Sequence, residues 1–261
     1  MSESTAKRRP LGKGEWIAIV AAVVMVAAAV FAWMWKPGGP SVPAPGAPAS
    51  QAAAAPAAPD GPAPVVADPE ARASLEALST NASFRRWLAA ADDVVRRWAT
   101  ATANVAEGAS PRKALDVLAP KGAFAVEKRG GRTVIAAAAY ARYDELAEAV
   151  ASIDAAAFAR VYRALRPAIE GAYRALGYPG ASLDAVTARA LSRLEAAPVA
   201  EGEVAVTPDR GVFQFADARL EGLHDVEKHL LRMGPKNERV VQAKAKQLRE
   251  ALQLPAEMAA H

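Results

Sequence analysis

The sequence predicts a mainly helical chain of the α+β class, with an N-terminal transmembrane helix, a disordered linker rich in proline and alanine, and one largely helical domain that carries one or two short β-hairpins. Three observations predict it: an uncharged apolar run near the N terminus, a following stretch with few side chains that could form a core, and apolar residues at helical spacing thereafter. The predicted segments are a cytoplasmic tail (1–15), a transmembrane helix (16–35), the linker (36–69), a periplasmic helical domain (70–254) and a C-terminal tail (255–261).

The run from Trp16 to Trp35 contains twenty residues and no charge. As a helix rising about 1.5 Å per residue it spans about 30 Å, the thickness of a bilayer's hydrocarbon core. Trp16 at one end and Trp33 and Trp35 at the other occupy positions typical of the membrane interface. We therefore predict a permanent anchor. The alternative, a cleaved secretory signal, is disfavoured because apolar bulk continues past the candidate cleavage sites.

Basic residues indicate the orientation of this helix. Lys7, Arg8, Arg9 and Lys13 precede it, whereas only Lys36 follows it before Arg72. Because basic residues stay on the cytoplasmic side, the sequence predicts a cytoplasmic N terminus. In a bacterium the chain would then lie in the inner membrane with its C-terminal domain in the periplasm, and the absence of cysteine is compatible with that compartment.

The segment from Pro37 to Pro69 contains ten prolines among alanine and glycine. Such a chain favours extended polyproline geometry at about 3.1 Å per residue and has little to bury. We interpret it as a tether. It is either passive or long enough to let the domain meet a partner away from the membrane.

The distribution of the formal net charge of +4 along the chain argues against a nucleic-acid partner. Residues 1–36 carry five Lys or Arg and two Glu, so the remaining chain is close to neutral. A nucleic-acid-binding domain would be expected to present a basic face.

Helical spacing dominates the predicted domain. Asn81 or Ser83 is expected to cap a helix whose apolar residues run from Phe84 to Trp98. A second apolar face runs from Phe158 to Leu176, with a proline at 167 that is expected to kink or divide the helix. A further helix is predicted after Ser182.

Two stretches predict hairpins. Residues 122–136 alternate on either side of Gly130-Gly131. The runs "EVAV" and "VFQF" are separated by turn-forming residues, which are Pro208, Asp209 and Gly211.

Motifs for catalysis, cofactors or metals do not emerge from the sequence. Of the three histidines, His224 and His229 are five residues apart and do not share a helix face in the way that an i, i+4 metal pair does. There is no glycine-rich phosphate loop, no G-x-S-x-G and no cysteine. We nominate no catalytic, cofactor-binding or metal residue, and a non-enzymatic role is favoured.

A first candidate site is a surface cluster of aromatic and charged residues in "YARYD". It comprises Tyr140, Arg142, Tyr143 and Asp144. It is either a ligand-binding surface or an exposed helix start with no binding role.

A second candidate is a helix pair around "LRMGPKN", with a glycine and a proline between the helices. Glu227 falls inside the apolar stripe of the first helix, and Asn237 and Lys244 fall inside that of the second. Folding the helices antiparallel would bring Glu227 close to Lys244. Because an unpaired buried charge costs several kcal/mol, we predict either a buried pair or a polar pocket that Arg232 and Asn237 help to line.

The chain resembles an uncharacterised family of proteobacterial envelope proteins known only as a domain of unknown function. The resemblance covers about residues 75–253 and is carried by "AAYARYD", "YRALRPAIEGAYRALGYP", "QFADARLEGL" and "HLLRMGPKN". It implies a membrane helix and linker ahead of the domain. It implies no catalytic residue, because no activity is established for the family.

Two functions follow as hypotheses. The favoured one is a membrane-anchored periplasmic module that binds or scaffolds an envelope protein or a cell-wall component without a cofactor. The alternative is a cell-wall-active hydrolase or transferase, which would require a deep polar cleft with two facing carboxylates.

Overall fold

The computed structural model describes residues 66–178 and 182–256, and its elements within these residues are nine helices, two turns of 3-10 helix and four short strands. The helices are α1 (Asp68–Glu76), α2 (Ala82–Ala90), α3 (Val94–Ala106), α4 (Ala137–Ala141), α5 (Asp144–Ala151), α6 (Ala155–Ala175), α7 (Leu183–Ala196), α8 (Ala218–Glu221) and α9 (Asp225–Leu252). The 3-10 turns are Pro111–Lys113 and Asp116–Leu118, and the strands are β1 (Val126–Arg129), β2 (Arg132–Ile135), β3 (Val206–Asp209) and β4 (Val212–Phe215). The predicted class, mostly helical with two small hairpins, is confirmed for this part of the chain.

The predicted cytoplasmic tail and transmembrane helix (1–35), nearly all of the predicted linker (36–69) and residues 257–261 lie outside the described residues. Among the residues that are described, no helix is both long and apolar enough to cross a membrane. Helix α1 begins at Asp68, two residues before the predicted start of the domain.

The helix predicted from Phe84 to Trp98 is divided into α2 and α3. Its predicted start is confirmed, because the side-chain oxygen of Asn81 accepts hydrogen bonds from the backbone N–H groups of Ser83 (2.9 Å) and Phe84 (3.0 Å). The division lies at Ala91–Asp93, where Asp93 adopts left-handed backbone angles (φ 52°).

Contacts from α1 satisfy the backbone groups that this break frees. The carboxylate of Asp68 accepts the N–H of Val94 at 2.8 Å, at the start of α3. The guanidinium of Arg72 donates to the carbonyl of Ala91 at 2.6 Å, beyond the end of α2. Because helix ends need such partners, a neighbouring helix fixes the break, and the local spacing of apolar residues does not reveal it.

Helix α6 runs through Pro167 undivided, so of the two predicted outcomes, a kink or a division, the division is excluded. Proline removes the hydrogen bond to the carbonyl four residues earlier, which belongs to Arg163. Both residues are exposed, so that carbonyl can bond to water, and the buried face of the helix continues past the proline.

The first predicted hairpin is confirmed. Strands β1 and β2 pair antiparallel with Arg129 opposite Arg132, and the turn is Gly130-Gly131, both with positive φ. Two consecutive left-handed residues match the twist of a two-residue hairpin.

The second predicted hairpin is confirmed, but its turn begins at Arg210, two residues after the first predicted turn residue, Pro208. Asp209 pairs with Val212, so Arg210 (φ 46°) and Gly211 (φ 86°) form the turn while Pro208 and Asp209 lie in β3. Pro208 is tolerated there because the outer side of a two-stranded sheet leaves N–H positions unpaired.

Helix α9 is interrupted at Gly234 (φ 80°, ψ 159°), as the sequence predicts. Glu227, before the break, contacts Arg193, and Arg249, after the break, contacts Glu195. Arg193 and Glu195 are only two residues apart on α7. If α9 were straight, its positions 227 and 249 would be separated by about 33 Å. The two halves of α9 therefore bend toward each other at Gly234.

The bend lets α9 serve two apolar clusters. Leu231, before the break, belongs to a cluster with Ile135 and Phe215 of the two hairpins. Ala245 and Leu248, after the break, belong to the main helical core with residues of α1, α3, α6 and α7.

Gly234 is required by space as well as by backbone angle. A Cβ atom at this position would lie 2.6 Å from Cγ of Tyr140, well inside contact distance. The ring of Tyr140 therefore packs directly on the backbone at the break.

We expect Gly234→Ala to lower the free energy of unfolding by about 2–4 kcal/mol, because a left-handed alanine and an overpacked ring both destabilise. Gly211→Ala is the matched control, since Gly211 also has positive φ but its Cβ would meet nothing within 4 Å. It should cost only about 1 kcal/mol. Denaturant unfolding of both variants measures the difference, and equal losses would contradict the close contact with Tyr140.

Candidate functional site

The structure brings residues of the two sequence-predicted clusters together at the break in α9. The side-chain nitrogen of Asn237 lies 3.1 Å from the carbonyl oxygen of Tyr140 and 2.9 Å from a carboxylate oxygen of Asp144. Lys236 lies 3.4 Å from the other oxygen of Asp144. The hydrogen bond from Asn237, aided by Lys236, holds the pKa of Asp144 below its ordinary value.

The prediction that Tyr140 and Tyr143 belong to a cluster on the surface is wrong. Tyr143 is only 4% exposed, and Tyr140 is partly buried with a hydroxyl that is shielded from solvent and has no hydrogen-bond partner in the described part of the chain. The reason is tertiary: α4 and the start of α5 lie against α9, which covers their aromatic side chains. Burial raises the pKa of Tyr140.

Arg142 is held by neutral groups. It donates to the carbonyl of Gly122 at 2.9 Å and to the hydroxyl of Tyr143 at 3.3 Å. Its Cζ lies 5.2 Å from the centroid of the Tyr143 ring and 5.9 Å from that of Phe124. These are cation–π distances, so aromatic faces orient the guanidinium without neutralising its charge.

Arg232 is also held by neutral groups, which are a backbone carbonyl and an aromatic ring of β4. It donates to the carbonyl of Phe213 at 3.1 Å, and its Cζ lies 4.7 Å from the ring centroid of Phe215. The sequence predicted that Arg232 lines a pocket with Glu227 and Lys244, but in the structure it contacts β4 and its own helix.

His229 lies beside these arginines. Its ring meets the ring of Tyr143 edge-on, with centroids 5.9 Å apart. Burial lowers its pKa to about 4, and the positive charges of Arg112, Arg232 and Arg142 act in the same direction. His229 is therefore neutral at pH 7. We call Arg112, Arg142 and Arg232 the arginine cluster.

The predicted pair between Glu227 and Lys244 is wrong, although both residues are buried as predicted. Glu227 pairs with Arg193 of α7 at 3.1 Å, and its second oxygen accepts the N–H of His224 at 3.1 Å. Lys244 donates instead to the carbonyl of Ile153 at 2.6 Å, and burial lowers its pKa. Helix α7 lies against α9 and supplies the counterion that the two-helix prediction sought within α9 itself.

Glu238 is the residue that sequence reasoning missed. It is 0% exposed, and neither carboxylate oxygen has a hydrogen-bond partner among the described residues. Burial raises its pKa to about 8, so it is largely protonated at neutral pH. A signal was present: position 238 continues the spacing of three and four residues that links Leu231, Val241, Ala245 and Leu248.

An apolar cavity of about 380 Å³ lies among α1, α2, α3, α5 and the 3-10 turns. Arg97 and Thr102 are the polar residues of its wall, and all other lining residues are apolar. Its aromatic wall is formed by Phe84, Trp87, Trp98 and Phe158. This volume lies within the range of ligand pockets, roughly 300–1,000 Å³.

The described residues contain no group of three or more His, Cys, Asp or Glu side chains arranged to hold a metal ion. The two other features of note are the apolar cavity and the two arginines, Arg142 and Arg232, that contact aromatic rings.

Comparison with known proteins identifies one family. The sequence profile of a family described as a protein of unknown function, DUF3014, matches residues 94–249. The match covers more than half of the chain and confirms the resemblance to a family of unknown function. No curated protein and no solved structure matches the chain.

We expect Glu227→Leu to destabilise the protein by about 3–5 kcal/mol, because it leaves Arg193 buried without a counterion. Adding Arg193→Met should restore much of this loss. Lys244→Met is the control partner: its effect should add to that of Glu227→Leu within about 0.5 kcal/mol. A double-mutant cycle by denaturant unfolding measures both couplings, and strong coupling to Lys244 with none to Arg193 would contradict the observed pair.

Glu238 makes the stability depend on pH. Its folded-state pKa of about 8 exceeds the ordinary value of 4.5, so the folded chain binds an extra proton between these values and loses stability as pH rises. From pH 5 to pH 8 the loss of stability from this group is roughly 3–4 kcal/mol. His229, whose pKa is lowered, acts in the opposite direction at lower pH.

Comparison with Glu238→Gln separates the two groups, because the variant retains His229. We expect the variant to gain stability relative to the natural chain as pH rises from 5 to 8, measured by thermal or denaturant unfolding. An unchanged difference between the two proteins across this range would show that Glu238 ionises normally.

Proposed function

The chain belongs to the DUF3014 family, whose function is unknown, and from that premise we propose that it is a membrane-anchored binding module of the bacterial envelope whose helical domain takes up the apolar chain of a lipid. In this proposal residues 16–35 anchor the protein in the inner membrane, residues 36–69 tether the domain, and the domain works in the periplasm. The ligand is held without a cofactor, and nucleic acid is not a partner.

The observation that carries the proposal is the apolar cavity. Eighteen of its twenty lining residues are apolar, and two tryptophans and two phenylalanines contribute to its wall. A cavity of this kind favours an apolar occupant, because water inside it would find few hydrogen-bond partners. Its volume of about 380 Å³ exceeds the roughly 150 Å³ that suffices for a benzene molecule.

An acyl chain is the occupant that the proposed anchor favours. A domain tethered to a bilayer by some thirty residues meets lipid at a high effective concentration. A free apolar molecule of another kind would have to reach the same site by diffusion. Burying the chain among the aromatic side chains would repay roughly 25 cal/mol for each Å² of apolar surface removed from water.

The alternative, a cell-wall-active hydrolase or transferase, has weaker support. It needs two carboxyl groups that face each other across a polar cleft. Within residues 66–178 and 182–256, Glu238 is the carboxyl whose pKa is raised, and no side chain is hydrogen-bonded to it. The cavity, moreover, has an apolar wall.

Photo-crosslinking in intact cells tests the proposed function. A photoreactive phenylalanine analogue is placed at Thr102, which lines the cavity, or at Thr100, which lies on the same helix outside it. Both threonines are partly buried, so they form a matched pair. We expect lipid adducts at position 102 and few at position 100, identified by mass spectrometry of the full-length chain.

Other products would contradict the proposal. Equal lipid labelling at the two positions would reflect only proximity to the bilayer. Adducts confined to a protein or to wall fragments at position 102 would show that the cavity receives a different partner.

A further inference from the structure

We propose that the arginine cluster forms, beside His229, a binding site for a phosphate or carboxylate group. The site itself rests on the contacts of these residues. Its assignment to the acidic headgroup of a lipid rests on the proposed function, in which the apolar cavity holds the chain of the same molecule.

One path of contacts joins Arg142 to Arg232 through two rings. Arg142 donates to the Tyr143 hydroxyl and lies 5.2 Å from its ring centroid, and the Tyr143 ring lies 5.9 Å from that of His229. Arg232 follows His229 by three residues and therefore occupies the same face of α9.

A second path joins the same two arginines through the hairpin side. Arg142 lies 5.9 Å from the ring centroid of Phe124, and that ring lies 5.7 Å from the ring of Phe213. The carbonyl of Phe213 accepts the hydrogen bond from Arg232. Both paths begin at Arg142 and end at Arg232, so contacts from α9 and from the β3–β4 hairpin fix the two guanidinium groups around the ring of His229.

These arginines form no ion pair within 4 Å among the described residues. None of the ion pairs formed by the described residues involves Arg112, Arg142 or Arg232. The Nε atom of Arg142 is also shielded from solvent and without a hydrogen-bond acceptor in that part of the chain. Positive charge therefore accumulates beside a neutral imidazole.

The nearby carboxylates are already committed to other groups. Asp144 is held by Asn237. Glu221 accepts the N–H of Phe215 at 2.8 Å and contacts Lys228 at 3.3 Å, and these two contacts, with a smaller effect of the Arg232 charge, lower its pKa. An external oxyanion would supply the missing charge, and the planar guanidinium fork suits both phosphate and carboxylate.

The site adjoins the apolar cavity along two elements. Arg112 lies two residues before Ala114, and Tyr143 lies three residues before Leu146. Ala114 and Leu146 both line the cavity. Three residues make about one turn of helix, or about 5 Å. Tyr143, which accepts a hydrogen bond from Arg142, therefore lies about one turn from the cavity wall. In this arrangement a lipid chain in the cavity can present its acidic group to the arginine cluster.

Protection of arginine from chemical modification tests the site. The full chain is placed in nanodiscs of phosphatidylcholine and treated with phenylglyoxal, and modification of each arginine is followed by mass spectrometry. Inorganic phosphate should slow the reaction of Arg142 and Arg232 several-fold relative to chloride at equal ionic strength. Arg210, an exposed residue in the β3–β4 turn, should react at the same rate in both salts.

Variants and lipids complete the test. Arg232→Gln should abolish the protection of Arg142, whereas Arg210→Gln should leave it intact. In nanodiscs that contain phosphatidylglycerol, protection without added phosphate would identify a lipid headgroup as the ligand, and protection by phosphate alone would identify a free anion. Unchanged reaction rates under all of these conditions would overturn the site.

The result is separable from the test of the proposed function. Lipid capture at position 102 without arginine protection would reject only the anion site. Arginine protection by phosphate without lipid capture would reject only the lipid-binding function.

Discussion

The packing of Tyr140 on the backbone of Gly234 is the contact on which the rest of this fold depends. It requires a residue without a side chain, at a backbone angle that glycine adopts readily, and it marks the point where α9 changes direction. Before the break Leu231 packs in the cluster of the hairpins, and after it Ala245 and Leu248 pack in the helical core. A continuous helix would carry Ala245 and Leu248 away from that core, with the loss of free energy that exposing apolar side chains implies.

Charged groups inside the domain are accommodated in three ways. Glu227 and Arg193 form a buried pair, Lys244 uses a backbone carbonyl, and Glu238 holds a proton. Each device limits the cost of removing a charge from water.

The arginine cluster follows none of these patterns. Arg142 and Arg232 remain charged, partly buried and oriented by aromatic faces, with no acidic partner in the described residues. Aromatic faces fix the direction of a guanidinium while leaving its hydrogen-bonding edge available. In the proposed function, this arrangement and the apolar cavity receive the acidic end and the apolar end of one ligand.

The sequence by itself determined the helical class, the first hairpin, a helix start capped by Asn81 or Ser83 and the break at Gly234, because each rests on a local rule of spacing or backbone angle. It also determined that Glu227, Asn237 and Lys244 are buried, since their positions fall within apolar stripes. Only the tertiary structure decided the partners. Arg193 replaced Lys244 as the counterion of Glu227, and α1 fixed the division between α2 and α3. The arginine cluster assembled from segments more than a hundred residues apart in sequence. A side chain's face follows from its neighbours in sequence, but its partner depends on which distant element packs there, and no local periodicity carries that information.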